Sequence, residues 1–129
     1  MKSKVQKLAK LAYECVGGVK NEDFASKYLA YAKKLPSMII YNGLLTTVAF
    51  AKTKAKKASI EGKAWEKLLE HLKEFLRREG INQDNKDLIE FLSELEVQEY
   101  RFITKRVLDF SLWLKRIAEG EVEDEGKGD

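Results

Sequence analysis

No charged residue occurs between Leu35 and Ala51, and four lysines, Lys52, Lys54, Lys56 and Lys57, follow at once. The segment LPSMIIYNGLLTTVAFAKTKAKK constrains the fold more than any other part of the chain. Its uncharged part falls short of the roughly 20 residues that a membrane-spanning helix needs, and it contains Asn42 and Gly43. Its apolar surface therefore has to be buried in protein. Proline is disfavoured inside a helix and welcome in its first turn, so Pro36 predicts a helix from about residue 36 to about residue 57. At about 100° per residue, Ile40, Leu44, Val48, Ala51 and Ala55 share one face, extended by Met38, Tyr41 and Leu45. Ile39 and Phe50 lie opposite. A helix apolar nearly all round belongs at the centre of a bundle, with its lysine end emerging from the core.

The remaining sequence reads as helix as well, because runs of β-branched residues with period two are absent. Val5, Leu8, Ala12, Cys15 and Val16 predict a first helix from about Ser3 to Val16, stopped by Gly17 and Gly18. Asn21 is placed to cap a second, whose buried side is Phe24, Tyr28, Leu29 and Ala32. A helix over about 61–79 ends at Gly80. A short one capped by Asp84 or Asn85 runs to Leu95, and a long one runs from about Val97 to Ala118. The expected fold is all-α: a compact single-domain bundle of about six helices over residues 1–118, with the segment 36–57 as its buried central helix. Residues 119–129, EGEVEDEGKGD, are expected to form an acidic disordered tail.

With 129 residues, such a domain buries roughly two thirds of the surface its unfolded chain exposes and needs no metal or disulfide. Cys15 is the one cysteine, so no internal disulfide forms. The start MKSKVQKLAK lacks the apolar core of a signal peptide. These features read as a soluble, cytoplasmic protein with no membrane contact.

The net charge of +3 hides strong segregation. Residues 33–63 hold seven cations against one anion, and residues 101–117 hold five against one. Residues 81–100 hold six anions against one cation, as do residues 118–129. Alternating blocks suit a molecule with a cationic face for a polyanion and opposite-signed faces that meet between copies. Lysines at a helix C-terminus also complement its dipole; that accounts for one or two of the four at 52–57 and leaves the others for phosphate contact. In the last long helix, Phe102, Trp113, Ile117, Phe110, Ile103, Leu114, Val107 and Tyr100 occupy an arc of roughly 160°. Arg101, Lys105, Lys115 and Arg116 form a separate stripe suited to tracking a phosphate backbone. A solvated helix face produces the same stripe. Arg106 falls inside the apolar arc, where an unpaired cation is costly, and is expected to meet a neighbouring chain, Glu99 or Asp109.

Catalytic constellations are hard to build here. His71 is the one histidine and reads as an ordinary helix-surface residue. Cys15 reads as core. Neither zinc spacing nor a phosphate-binding glycine motif occurs, and no carboxylate pair stands out as an acid and a base. The chain reads as a non-enzyme without cofactor or metal.

Two blocks resemble a known family. KLPSMIIYNGLLTTVAFAKTK, through Leu35, Pro36, Asn42, Gly43, Leu44, Thr47, Ala49 and Phe50, and YRFITKRVLDFSLWLKRIA, through Tyr100, Arg101, Thr104, Leu108, Phe110, Trp113, Leu114, Lys115, Arg116 and Ala118, are similar to the small all-helical (fifth) subunit of the Cmr-type (type III-B) CRISPR effector complex. AKLAYECV in the first helix adds to the likeness. The resemblance implies a non-catalytic subunit of an RNA-guided, RNA-targeting assembly. Its partners would be the other Cmr-type subunits, neighbouring copies of itself, and guide and target RNA. Several copies would stack into a filament whose basic face supports the guide–target duplex. Lys52, Lys54, Lys56, Lys57, Arg101, Lys105, Lys115 and Arg116 are the expected phosphate contacts. A free-standing helical nucleic-acid-binding protein and a helical protein-binding scaffold are the alternatives.

Overall fold

The computed structural model describes residues 1–124 and contains six helices among them: α1 (Lys4–Gly17), α2 (Ala25–Asn42), α3 (Leu44–Ala55), α4 (Ile60–Arg78), α5 (Leu88–Ser93) and α6 (Val97–Glu121). The all-α single-domain class holds. The expected central helix over 36–57 does not. Helix α2 runs straight through Pro36 and ends at Asn42, and α3 starts at Leu44.

The reason lies in two competing costs. An interior proline removes one backbone bond and costs roughly 3 kcal/mol. Yet Ala25, Tyr28, Leu29, Ala32, Leu35, Pro36 and Ile39 are all buried and keep one unbroken helical period. Burying side chains such as Leu35 and Ile39 stabilises by about 1.5–3 kcal/mol each, which offsets the missing bond. Gly43, by contrast, has φ 86° and ψ 160°, a region open essentially to glycine alone. The chain must leave the helix there. The break also rotates the apolar face: Ile39 is 2% exposed while Ile40 is 59% exposed, the reverse of the expectation from one continuous wheel.

Other boundaries follow from local chemistry. Ser3 and Gln6 form a reciprocal capping box on α1, at 3.1 and 2.8 Å. Val5 projects from the first turn and is exposed, and Leu11 takes its place in the core. Asn21 caps nothing: Val19 and Phe24 are buried, which draws the linker onto the core, and α2 begins only after Phe24. Ser59 caps α4. Its far end closes with Gly80 at φ 79°, the Gly80 and Ile81 amides donating to the Arg77 and Leu76 carbonyls at 3.0 Å. Asp87, rather than Asp84 or Asn85, caps α5 by accepting from the Ile89 amide at 3.0 Å; Asp84 and Asn85 take positive φ in the preceding turn.

The central element is α2. It packs on α6, α4 and α3, while α1 packs on α6. The start of α6 meets α3 through Tyr100 and Leu45, and its end reaches the α1–α2 link through Lys20 and Glu121, 3.5 Å apart. Helix α6 therefore runs antiparallel to α2. Phe75 and Phe110 stack at 4.6 Å between α4 and α6. The acidic segment expected from residue 119 is described only to Asp124; within that part α6 continues to Glu121 and Val122 is buried. Residues 125–129 lie outside the described residues.

Candidate nucleic-acid interface

The lysines that end the uncharged run occupy the last turn of α3 and the turn into α4. Gly62 permits that turn. A Cβ there would lie on top of the Lys57 carbonyl oxygen, so only glycine allows the first turn of α4 to pass so close to the end of α3.

Helical spacing splits the four lysines into pairs. Lys52 and Lys56, one turn apart, line a groove with Lys73, Glu66, Glu70 and Asp87. Lys52 pairs with Asp87, and that partner, more than any other, holds the Asp87 carboxyl below its ordinary range. Lys54 and Lys57 face the other way. They line a second groove with Lys34, Tyr31, Met38, Phe50, Glu61 and Trp65. Lys54, Lys56 and Lys57 have no ion pair among the described residues. The α3 tip is therefore two sites of unlike character: one where three carboxylates face the cations, and one where three lysines face a single glutamate. Lys34 falls in the basic block 33–63 but is not among the expected contacts; only the packing of α2 on α3 and α4 brings it beside Lys54 and Lys57.

The α6 stripe is also divided. Arg101 and Lys105 are exposed near its start, and Lys115 and Arg116 lie about 15 Å further along. Half-buried Leu108 and Leu112 share the arc between them. The Arg116 guanidinium lies over the Trp113 ring at 5.1 Å. Helix α3 packs chiefly on α4, α2 and α5, and α6 on α1 and α2, so the two cation-bearing regions ride on separate parts of the bundle. In the apolar arc of α6, Ile103, Val107, Phe110 and Leu114 are buried, but Phe102 is 61% exposed. Arg106 is paired internally. Its Nε donates to Glu79 Oε1 at 2.8 Å across to α4, and Asp109 Oδ2 lies 3.5 Å from its Nη1. Asp109 is among the expected partners; Glu79 is not, and Glu99 is not used.

His71 is half-buried rather than an ordinary solvated surface residue. Its Nδ1 shares a hydrogen bond with the Tyr28 hydroxyl at 2.6 Å, with the rings edge to face at 5.5 Å. Burial pushes its pKa down to about 4. Cys15 is buried, and burial pushes its thiol up to about 12, far from a nucleophile's range. Among the described residues, no group of three or more His, Cys, Asp or Glu could hold a metal ion, and no helix is long and apolar enough to cross a membrane.

Comparison with known proteins agrees with this architecture. Residues 4–121 match the family model described as CRISPR-associated protein (Cas_Cmr5). The CRISPR system Cmr subunit Cmr5 of Thermotoga maritima is 35% identical over 122 residues, 92% of this chain and 84% of that protein. The CRISPR system Cmr subunit Cmr5 of Thermus thermophilus is 28% identical over 124 residues, 96% of this chain and 100% of that one. The crystal structure of a CRISPR-associated Cmr5 family protein from Thermus thermophilus superposes with a TM-score of 0.77 at 28% identity, covering 95% of this chain and 100% of the other.

Proposed function

This chain belongs to the Cmr5 family of CRISPR-associated proteins, and from that premise we propose that it is the small, non-catalytic subunit of a cytoplasmic, RNA-guided, RNA-targeting Cmr complex. Several copies stack into a filament. The cation-bearing regions face the guide–target duplex, and base pairing within the duplex supplies specificity while the protein contacts phosphates.

The observation that carries this reading is the α3 tip, where Lys54, Lys56 and Lys57 stand without ion pairs among the described residues on a rod anchored by buried Leu44, Val48 and Ala51. The buried helix fixes where these lysine stems leave the backbone, so binding a phosphate backbone has to order the side chains but not the main chain. Arg101, Lys105, Lys115 and Arg116 extend the same role along α6. Stacking draws on the acidic start of α6, where Glu96 and Glu99 are exposed. A head-to-tail contact between that end and a basic end generates an open array.

The test is target-RNA binding by the complex reconstituted with charge-altered chains. Changing Lys54, Lys56 and Lys57 to glutamine should lower affinity at every target sequence and reduce the salt slope by about 0.7–0.9 for each phosphate no longer neutralised. Unchanged binding with an intact complex would move the protein to a helical protein-binding scaffold. Glu96→Lys with Glu99→Lys should shorten the stack; an unchanged copy number would remove the acidic end from the contact.

A further inference from the structure

The groove that holds Lys54 and Lys57 has a second property that phosphate contact does not use. Its floor is aromatic. Tyr31 of α2 stacks on Trp65 of α4 at 4.4 Å with the planes 13° apart. Phe50 of α3 meets Trp65 edge-on at 5.6 Å and 84°. Trp65 is 4% exposed, whereas Phe50 is 43% exposed, so Trp65 forms the base of the groove and Phe50 its accessible wall. The Lys54 ammonium lies over one face of the Phe50 ring, 5.2 Å from its centroid, a place that a base takes once the lysine swings out to a phosphate. The groove holds about 460 Å³, within the range of about 300–1,000 Å³ usual for small-molecule sites. Three ammonium groups surround it, and its one carboxylate, Glu61, is shared with Lys27 at 3.9 Å.

We propose that this groove is a nucleotide site, in which the base of one unpaired RNA nucleotide packs against Phe50 and Tyr31 while Lys34, Lys54 and Lys57 hold its flanking phosphates. The inference rests on the RNA-binding reading of the α3 tip and assigns a distinct ligand to it: a base outside any duplex. A paired base has both faces covered by its neighbours and cannot offer one to a ring. An unstacked base can, and aromatic platforms beside cations are the general solution for holding it. The groove does not read base identity, because its lining supplies flat apolar surface and point charges rather than a fixed hydrogen-bond pattern. An acidic peptide would satisfy the lysines but leave the aromatic floor without a flat partner.

The test uses the full chain and two probes. The first is the indole N–H signal of Trp65 in a ¹H–¹⁵N spectrum, identified by comparison with Trp113→Phe. Adenosine 5′-monophosphate up to tens of millimolar should shift that signal, and ribose 5-phosphate should not. Equal shifts with both compounds, or none with either, would overturn the site. So would a shift with a hexaglutamate peptide but not with the nucleotide. The second probe is affinity for a single-stranded RNA oligomer against a blunt RNA duplex. Phe50→Ala should weaken the single strand roughly 5- to 100-fold and leave the duplex unchanged. Phe50→Leu keeps the apolar bulk that supports folding and should still weaken the single strand. If the lysine changes weaken both RNAs and neither Phe50 change weakens the single strand selectively, the phosphate reading stands and the base site falls. If the lysine changes weaken neither RNA, the phosphate reading itself falls.

Discussion

The Tyr100 hydroxyl of α6 accepts a hydrogen bond from the Leu45 amide of α3 at 2.9 Å. Helix α3 has no side-chain cap of its own: the residue before it is Gly43. Tyr100 supplies that cap from a helix that is remote in sequence, and so ties the break after α2 to the start of α6. The Thr47 hydroxyl adds a local bond to the Gly43 carbonyl at 2.8 Å. Tyr100→Phe should leave the Leu45 amide without an acceptor and cost about 1–2 kcal/mol. In urea titration the midpoint should fall with the slope unchanged, and amide exchange should quicken first at Leu45 and Thr46.

The glycines on either side of α3 should prove irreplaceable for different reasons. At Gly43 the cost is conformational, since φ 86° with ψ 160° is closed to other residues; Gly43→Ala should cost about 1–3 kcal/mol. At Gly62 the cost is steric, because the added carbon collides with backbone rather than a movable side chain. Gly62→Ala should cost at least as much, by displacing the α3–α4 turn. Gly120, inside α6 with open space around it, is the control. There alanine should be neutral or stabilise by up to about 1 kcal/mol. Thermal unfolding of the three variants separates these outcomes.

Acid should weaken the protein before its carboxylates are neutralised. His71 is held neutral by burial, with the Lys67 charge acting the same way and Glu70 and Glu74 opposing. Its folded pKa, about 4, lies below its ordinary 6.5. The unfolded chain therefore binds the proton first. The contribution is fully present above about pH 6.5 and is lost as pH falls toward 4, up to about 3 kcal/mol in total. His71→Gln, which keeps a hydrogen-bonding partner for Tyr28, should flatten stability across that window even if it lowers it at neutral pH. Urea midpoints measured from pH 4 to 8 read this directly.

The fold class is legible in the sequence because helical periodicity is strong in α1, α4 and α6 and no competing period exists. Pro36 misleads for a physical reason. A proline is a weak boundary when its ring is buried in a continuous apolar stripe, as Ala32, Leu35, Pro36 and Ile39 provide. Asn42-Gly43 is the stronger boundary, as a turn-forming dipeptide. The lysines at the tip of α3 can be found as a charge run. Their division into two grooves cannot, because Asp87, Glu66 and Glu70 on one side and Lys34 on the other come from elements that only packing brings together. Glu79 is invisible as the partner of Arg106 for the same reason.

That partnership should carry measurable coupling. The Arg106 side chain is 13% exposed and that of Glu79 28%, and the Glu79 bond is the main reason the guanidinium holds its proton more tightly than usual. Removing one partner leaves a poorly solvated charge. A double-mutant cycle with Arg106→Ala and Glu79→Ala should give an interaction of about 1 kcal/mol or more, because the second change costs less once the first is made. Asp109, at 3.5 Å, should retain part of the pairing in Glu79→Ala. Arg106→Ala is therefore expected to be the more damaging single change.

The two lysine pairs of α3 should differ in their effect on RNA. Lys52 and Lys56 share their groove with three carboxylates, so part of their charge is already neutralised when RNA arrives. Lys54 and Lys57 share theirs with Lys34 and one glutamate. Lys54→Gln with Lys57→Gln should reduce the salt slope of RNA binding by about 1.4–1.8 units. Lys52→Gln with Lys56→Gln should reduce it by less than half of that. The second pair also frees Asp87 from Lys52, so its main consequence should be on stability: the Asp87 carboxyl should titrate closer to its ordinary value. Salt-dependent binding of the reconstituted complex, paired with carboxyl titration of the isolated chain by NMR, distinguishes the two pairs. Equal slopes would mean that local carboxylates do not decide which lysines meet phosphate.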